Sequence, residues 1–222
     1  MSSREQMIRD IERELDGTRN LVGRSAFSEP VMNALQEVPR EAFVPLSERR
    51  LAYNNGPLPI GCGQTISQPY IVALMTDLLD VDAESVVLEV GTGSGYQAAV
   101  LSRVVSQVYS IEIIEALSQR ASEVLRRLSY DNVVCRCSDG YLGWPEHGPY
   151  DGILVTAACR EIPQPLVTQL KPGARMVVPV GPAFSYQDLV LVEKSDEGEV
   201  SERKILGVAF VPLTGDHGRD SV

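Results

Sequence analysis

The sequence predicts an α/β fold: a mostly parallel sheet with helices on both faces, an N-terminal helical addition and a C-terminal antiparallel hairpin. Two observations carry this. Beyond Asp80, short apolar runs alternate with helical segments, and the runs are nearly continuous hydrophobe, as strands covered on both faces must be. The tail instead holds two strand-like segments joined by a polar turn. At 222 residues, 44% hydrophobic and 23% charged, the chain suits one large α/β domain of ordinary globular composition. We expect a single domain over residues 1–222, with 1–80 as its helical part and 81–222 as the sheet core.

Each element has its own signal. Met7, Ile8, Ile11 and Leu15 recur at helical spacing across residues 7–21. Ser28-Glu29-Pro30 reads as a helix start, with Val31, Leu35 and Val38 on one face. Residues 44–63 are rich in Pro and Gly and are expected to be irregular. Ser67-Gln68-Pro69 then starts a helix carrying Ile71, Val72, Leu74, Met75, Leu78 and Leu79, with Ser67 resembling its N-cap. The core follows as strand 86–90 and helix 96–105, then strand 108–111 and helix 114–128. Strands at 133–135, 153–155 and 176–180 and a helix at 165–170 complete it. Segments 188–192 and 204–211 flank the turn Ser195-Asp196-Glu197-Gly198-Glu199 as a hairpin.

Composition excludes several function classes. Twenty basic against thirty acidic residues give a net charge of −10, which argues against nucleic acid as a partner. No apolar run reaches membrane-spanning length, and the N-terminus lacks the apolar segment of a secretory signal. Four cysteines (Cys62, Cys135, Cys137, Cys159) and two histidines show neither a disulfide framework nor metal-ligand spacing. We read the cysteines as small buried hydrophobes in a reducing compartment, with cytoplasm as the expected location. His147 and His217 lie in turn-like segments and receive no role.

The most informative segment is Val86-Val87-Leu88-Glu89-Val90-Gly91-Thr92-Gly93-Ser94-Gly95-Tyr96, a buried strand running into a glycine-rich turn and a helix. Gly91 and Gly93 permit a tight turn and let backbone approach a ligand beyond the strand's carboxyl end. A dinucleotide loop requires a third glycine where this chain has Tyr96, so that fingerprint fails. The acid before the turn, Glu89, suits a cation and would repel a pyrophosphate. S-adenosylmethionine (SAM) carries a sulfonium and an ammonium and has no phosphate, and is the expected cofactor. Glu112, at the end of the second strand, is spaced to hold ribose hydroxyls. Asp139, before Gly140, is placed to accept from an adenine amino group. Glu112 also reads as a solvated strand end, and Asp139-Gly140 as a plain turn.

The acceptor is addressed by Leu58-Pro59-Ile60-Gly61-Cys62-Gly63-Gln64-Thr65-Ile66-Ser67-Gln68-Pro69-Tyr70. With the glycine loop, this run resembles the protein-L-isoaspartate O-methyltransferase family of class I SAM-dependent enzymes. Val38-Pro39-Arg40-Glu41-Ala42-Phe43-Val44-Pro45, Tyr150-Asp151-Gly152-Ile153-Leu154-Val155-Thr156-Ala157-Ala158, Leu170-Lys171-Pro172-Gly173 and Phe210-Val211-Pro212-Leu213-Thr214 match as well. The resemblance runs over roughly residues 34–215, and the Gly63–Pro69 run is its most specific part. It implies a Rossmann-like sheet and methylation of the free α-carboxylate of L-isoaspartyl residues in damaged proteins and peptides. S-adenosyl-L-homocysteine is the implied product, and the ester then closes to a succinimide in protein repair.

The resemblance also implies site residues. Ser67 is the expected active-site residue, with Gln64, Thr65 and Ile66 on the substrate side; Thr156 is placed there too and reads equally as a plain β-branched strand residue. Glu89, Gly91, Thr92, Gly93, Ser94, Gly95, Glu112, Asp139, Gly140 and Thr214 are expected around the cofactor. Tyr141 and Trp144 read equally as an adenine cover or as surface packing. Cys62 and Ala209 stand where many family members have histidine and arginine. Three other readings stay open: a methyltransferase for another carboxylate or hydroxyl, a binding module for damaged or C-terminal carboxylates, and a nicotinamide-dependent oxidoreductase. The sequence indicates no oligomeric state.

Overall fold

The computed structural model describes residues 3–183 and 185–215; His217 lies outside them. Helix α1 (Arg4–Val22) starts where the Ser3 hydroxyl accepts from Gln6 N and stops at Gly23, whose φ of 69° no β-carbon opposes. Its buried stripe of Met7, Ile11, Leu15 and Val22 packs on α2 (Glu29–Glu37) and α3 (Pro69–Leu78). Ser28 caps α2 by position, and its N–H donates to Asp77 of α3, which also pairs with Arg24.

Between α2 and α3 the chain is less irregular than its Pro and Gly content predicts. Two 3₁₀ turns (Arg40–Ala42 and Arg49–Leu51) lead into a hairpin of β1 (Leu58–Gly61) and β2 (Gln64–Ile66). Cys62 and Gly63, at φ 53° and 70°, form its two-residue turn, the left-handed geometry that matches strand twist. Leu58, Ile60 and Ile66 alternate inward and are buried, each worth roughly 1.5–3 kcal/mol, and this fixes a hairpin too short to stand alone. Arg120 adds a clamp by donating to Ile60 O.

The main sheet runs β5-β4-β3-β6-β7-β8-β9. Its strands are β3 (Val86–Val90), β4 (Gln107–Glu112), β5 (Val133–Cys137), β6 (Tyr150–Val155), β7 (Leu170–Val180), β8 (Gln187–Lys194) and β9 (Val200–Val208). β5 to β7 are parallel, and β8 and β9 turn back antiparallel. Helices α4 (Tyr96–Leu101), α5 (Glu115–Arg127) and α6 (Gln164–Thr168) connect them. Strand pleating divides the core. Val87, Val108, Leu154 and Val177 face α1–α5, while Leu88, Ile111, Ile153 and Met176 face α6 and Trp144. The sheet thus matches the expected class, and its order reverses at β3, whose neighbours are β4 and β6. Parallel α/β sheets bind ligands outside the carboxyl ends at such a point.

Two local expectations change. Of the cysteines only Cys159 is buried; Cys62 sits on the exposed hairpin turn, Cys137 is exposed and Cys135 half-buried on the edge strand. Ser67 is not the N-cap of α3. Gln68 holds that position because Pro69 fixes the first helical turn, and Asn55 Oδ1 accepts from the Tyr70 N–H instead. Among the described residues no helix is long and apolar enough to cross a membrane.

Candidate active site

A cleft opens at the carboxyl ends of β3, β4 and β6, the place where parallel α/β sheets bind ligands. Its floor is the β3–α4 loop. Gly91 N and Thr92 N both donate to Ile111 O, and Gly95 N closes the turn on Thr92 O. Gly91 (φ 101°) passes so close to Thr156 that a β-carbon would collide with Oγ1, which itself donates to Gly91 O at 2.6 Å. Across the cleft Glu112 ends β4. Gly93 N donates to its Oε2 at 2.8 Å and Ile114 N to its Oε1 at 2.9 Å. Each oxygen keeps a further lone pair for a ligand hydroxyl.

The cleft brings together most of the predicted residues. Gly91, Thr92, Gly93, Ser94, Glu112, Gly140 and Thr214 line it. So do Gln64, Thr65, Ile66, Ser67 and Thr156, the last bonded to the glycine loop through Gly91 O. The Ser67 hydroxyl has no hydrogen-bond partner among the described residues and is half-buried at the junction of hairpin and helix. The wall is closed by Val211, Pro212 and Leu213, which run beside β6: Ala158 N donates to Val211 O and Leu213 N to Ala158 O, both at 2.8 Å.

Three predicted cofactor residues stand outside the cleft. Glu89 is fully buried behind the loop because the pleat of β3 turns it with Val87 toward α4. There it accepts from Ser110, whose Oγ lies 2.5 Å from Thr92 Oγ1, so it braces the loop from beneath. Burial pushes its carboxyl up to about 8, against the Ser110 hydrogen bond, and its Oε1 has no partner among the described residues. A neutral acid behind the loop does not supply the anion expected before the turn. Gly95 (φ 86°) is absent from the lining because it faces α5, where a β-carbon would press on Ala121 and Leu125. Asp139 caps the turn Gly140–Leu142 by accepting from Tyr141 N, and its carboxyl lies against Gly215.

The structure also adds residues. Ile113, 37% exposed directly after Glu112, lines the cleft; an apolar residue left open at a strand end is the signal that could have found it. Tyr96 and Gln97 line its inner end. Trp144 packs edge-on against Tyr109 in the opposite core, and His147 stacks on the same ring at 4.0 Å; neither these nor Tyr141 line the cleft. A second opening of about 1180 Å³ continues from Thr65, Ser67, Thr156 and Val211 outward, walled by Leu21, Ile71, Tyr186, Leu206 and Phe210.

Known proteins are similar to this chain in sequence and fold. The family model described as Protein-L-isoaspartate(D-aspartate) O-methyltransferase (PCMT) matches residues 18–218. A Syntrophobacter fumaroxidans protein named Protein-L-isoaspartate O-methyltransferase 2 is 60% identical, covering 97% of this chain and 87% of its own. A Nitrosococcus oceani protein of the same name is 56% identical over 98% and 99%. A solved protein-L-isoaspartate O-methyltransferase superposes with a TM-score of 0.81 at 33% identity, over 96% of this chain and 67% of its own. A full-length match in sequence, together with a shared fold, shows that the chain belongs to the protein-L-isoaspartate O-methyltransferase family.

Proposed function

We infer that the chain transfers the methyl group of S-adenosylmethionine to the free α-carboxylate of L-isoaspartyl residues in damaged proteins and peptides. The products are the methyl ester and S-adenosyl-L-homocysteine, and the ester's closure to a succinimide starts repair. Family membership supports this activity. The observation that carries the site assignment is that the glycine loop and the unengaged Ser67 hydroxyl face one cleft, which widens beside Ser67 into a largely apolar opening. An opening walled by apolar side chains such as Leu21, Ile71 and Phe210 suits a polypeptide flank better than a small carboxylic acid.

The residues present fit the cofactor. A glycine cradle that a β-carbon would fill and a backbone-anchored carboxylate at the strand end suit a nucleoside with ribose hydroxyls. When bound, SAM supplies an electrophilic methyl group on a positively charged sulfur. Gly91, Thr92, Gly93 and Ser94 would hold its amino-acid part, Glu112 its ribose, and Ile113 with Gly140 and Thr214 its base. Glu89 then acts on the loop from beneath, and Asp139 on the turn at Gly140. We assign Ser67 to donate to one acceptor carboxylate oxygen and aim the other, with Thr65, Gln64, Ile66 and Thr156 around it.

No general base is needed, because a carboxylate is already ionised at neutral pH. Charge is annihilated as the methyl moves, so exclusion of water and in-line alignment carry the acceleration. We further read residues 1–80 as the acceptor-side part and 81–222 as the cofactor-binding core, supported by α1 and the hairpin walling the outer opening. Four unpaired cysteines support a cytoplasmic setting.

The test is methyl transfer from labelled SAM to an isoaspartyl peptide beside its normal-aspartyl twin, with wild type and Ser67→Ala. We expect a base-labile ester on the isoaspartyl peptide alone. Ser67→Ala lowers kcat about 10–100-fold, as loss of one aiming hydrogen bond would. Labelling of neither peptide despite SAM binding would overturn the acceptor assignment.

A further inference from the structure

Arg40 is a charged residue that this scheme leaves unused, and it is among the most deeply buried side chains of the protein. It opens the 3₁₀ turn Arg40–Ala42, and none of its surface is exposed. No ion pair joins it to a carboxylate among the described residues. Backbone carbonyls hold it instead: Nε donates to Ala52 O at 2.8 Å, and Nη2 to Ser67 O at 2.7 Å and, more loosely, to Gly56 O at 3.4 Å. Its Cζ stands 4.7 Å over the ring of Tyr96. Burial pulls its pKa below the ordinary value. A buried charge without a counter-ion is costly, and most surroundings would exclude it.

What it touches gives this charge a purpose. Ser67 carries the hydroxyl on the acceptor side. Tyr96 is the first residue of α4, directly after the loop on the cofactor side, and its N–H donates to Ser94 Oγ at 3.2 Å. Phe43, from the same stretch as Arg40, packs edge-on against the Tyr96 ring at 5.7 Å. One side chain therefore contacts both halves of the cleft. We propose that Arg40 is a positioning residue that fixes the Ser67 hydroxyl relative to the glycine loop, and so sets the alignment of acceptor and methyl donor. This rests on the assignment of Ser67 given above. In-line transfer is sensitive to such placement, where a shift of about 1 Å costs up to roughly 100-fold. A guanidinium can reach carbonyls in different directions and stack on a ring at once, which an ammonium cannot.

The experiment is a double-mutant cycle on kcat with Arg40→Lys and Ser67→Ala, beside SAM affinity by calorimetry and a melting curve for each protein. In the otherwise unaltered enzyme Arg40→Lys lowers kcat at least about tenfold, while SAM affinity changes less than about threefold. In the Ser67→Ala background the same change costs less than about twofold, since there is no hydroxyl left to aim. Equal losses in both backgrounds, or no loss in either, overturn the proposal while leaving the function intact. A Ser67→Ala enzyme as fast as wild type would instead sink the Ser67 assignment itself. If the melting curve shows that Arg40→Lys does not fold, Arg40→Gln, which keeps one donor for the Ser67 carbonyl, is read by the same arithmetic.

Discussion

The two sides of the cleft are built differently. On the side proposed for the cofactor, the glycine loop's N–H groups at Gly91, Thr92, Gly93 and Gly95 are spent inside the protein on Ile111 O, Glu112 and Thr92 O, and Gly91 O accepts from Thr156. Glu89 and Ser110 brace it from below. On the side proposed for the acceptor, the Ser67 hydroxyl has no hydrogen-bond partner among the described residues, Thr65 is exposed, and the opening beyond is walled by Leu21 at 61% and Tyr186 at 83% exposure. The contrast fits the ligands proposed for the two sides. A cofactor is the same molecule in every turnover, so a rigid site loses nothing. Damaged polypeptides differ in every flank, so a fixed surface would reject most of them.

The largest expected effect breaks the rigid side. Gly91→Ala forces a β-carbon onto Thr156 at a φ of 101°, strain of order 1–3 kcal/mol, and should weaken SAM about 10–100-fold by calorimetry. Unchanged affinity would show that the loop is as adaptable as the acceptor side.

Next comes the brace. Glu89 has its folded pKa raised to about 8 from an ordinary 4.5, so its favourable, protonated contribution is complete below the unfolded value and is lost as pH rises to about 8. Glu89→Gln keeps an acceptor for Ser110 without a titrating group. Relative to wild type it should gain stability between pH 5 and pH 8, on the order of a few kcal/mol in urea unfolding. Parallel pH dependences for the two proteins would remove Glu89 as a buried neutral brace.

The smallest effect belongs to the open side. Leu21→Ser with Tyr186→Ala should raise KM about threefold for a long isoaspartyl peptide with apolar flanks, in line with partial loss of exposed apolar contact. The two changes should leave SAM affinity and a glycine-flanked short peptide untouched. A matching rise in KM for the short peptide would place the flank elsewhere.

Much of this was legible because it is local. Continuous hydrophobe marks the strands of a parallel sheet, and β3, α4 and β4 lie within a few residues of their predicted bounds. The β1–β2 hairpin was not legible. Pro59, Gly61 and Gly63 read as loop, and only the inward burial of Leu58, Ile60 and Ile66 in the core makes strands of their neighbours. Arg40 was passed over in a family motif because a charged side chain is ordinarily a surface one.

By itself, then, the sequence determined the fold class and the glycine turn with its positive-φ positions. Those depend on backbone sterics and on neighbours along the chain. Only the tertiary structure decided which of two nearby acids lines the cleft. Glu89 and Glu112 look alike in sequence, yet one is sealed beneath the loop and the other ends a strand at the cleft. A carboxyl's role follows from its desolvation and its partners, and those come from Ser110, Gly93 and Ile114, brought up by separate strands and turns.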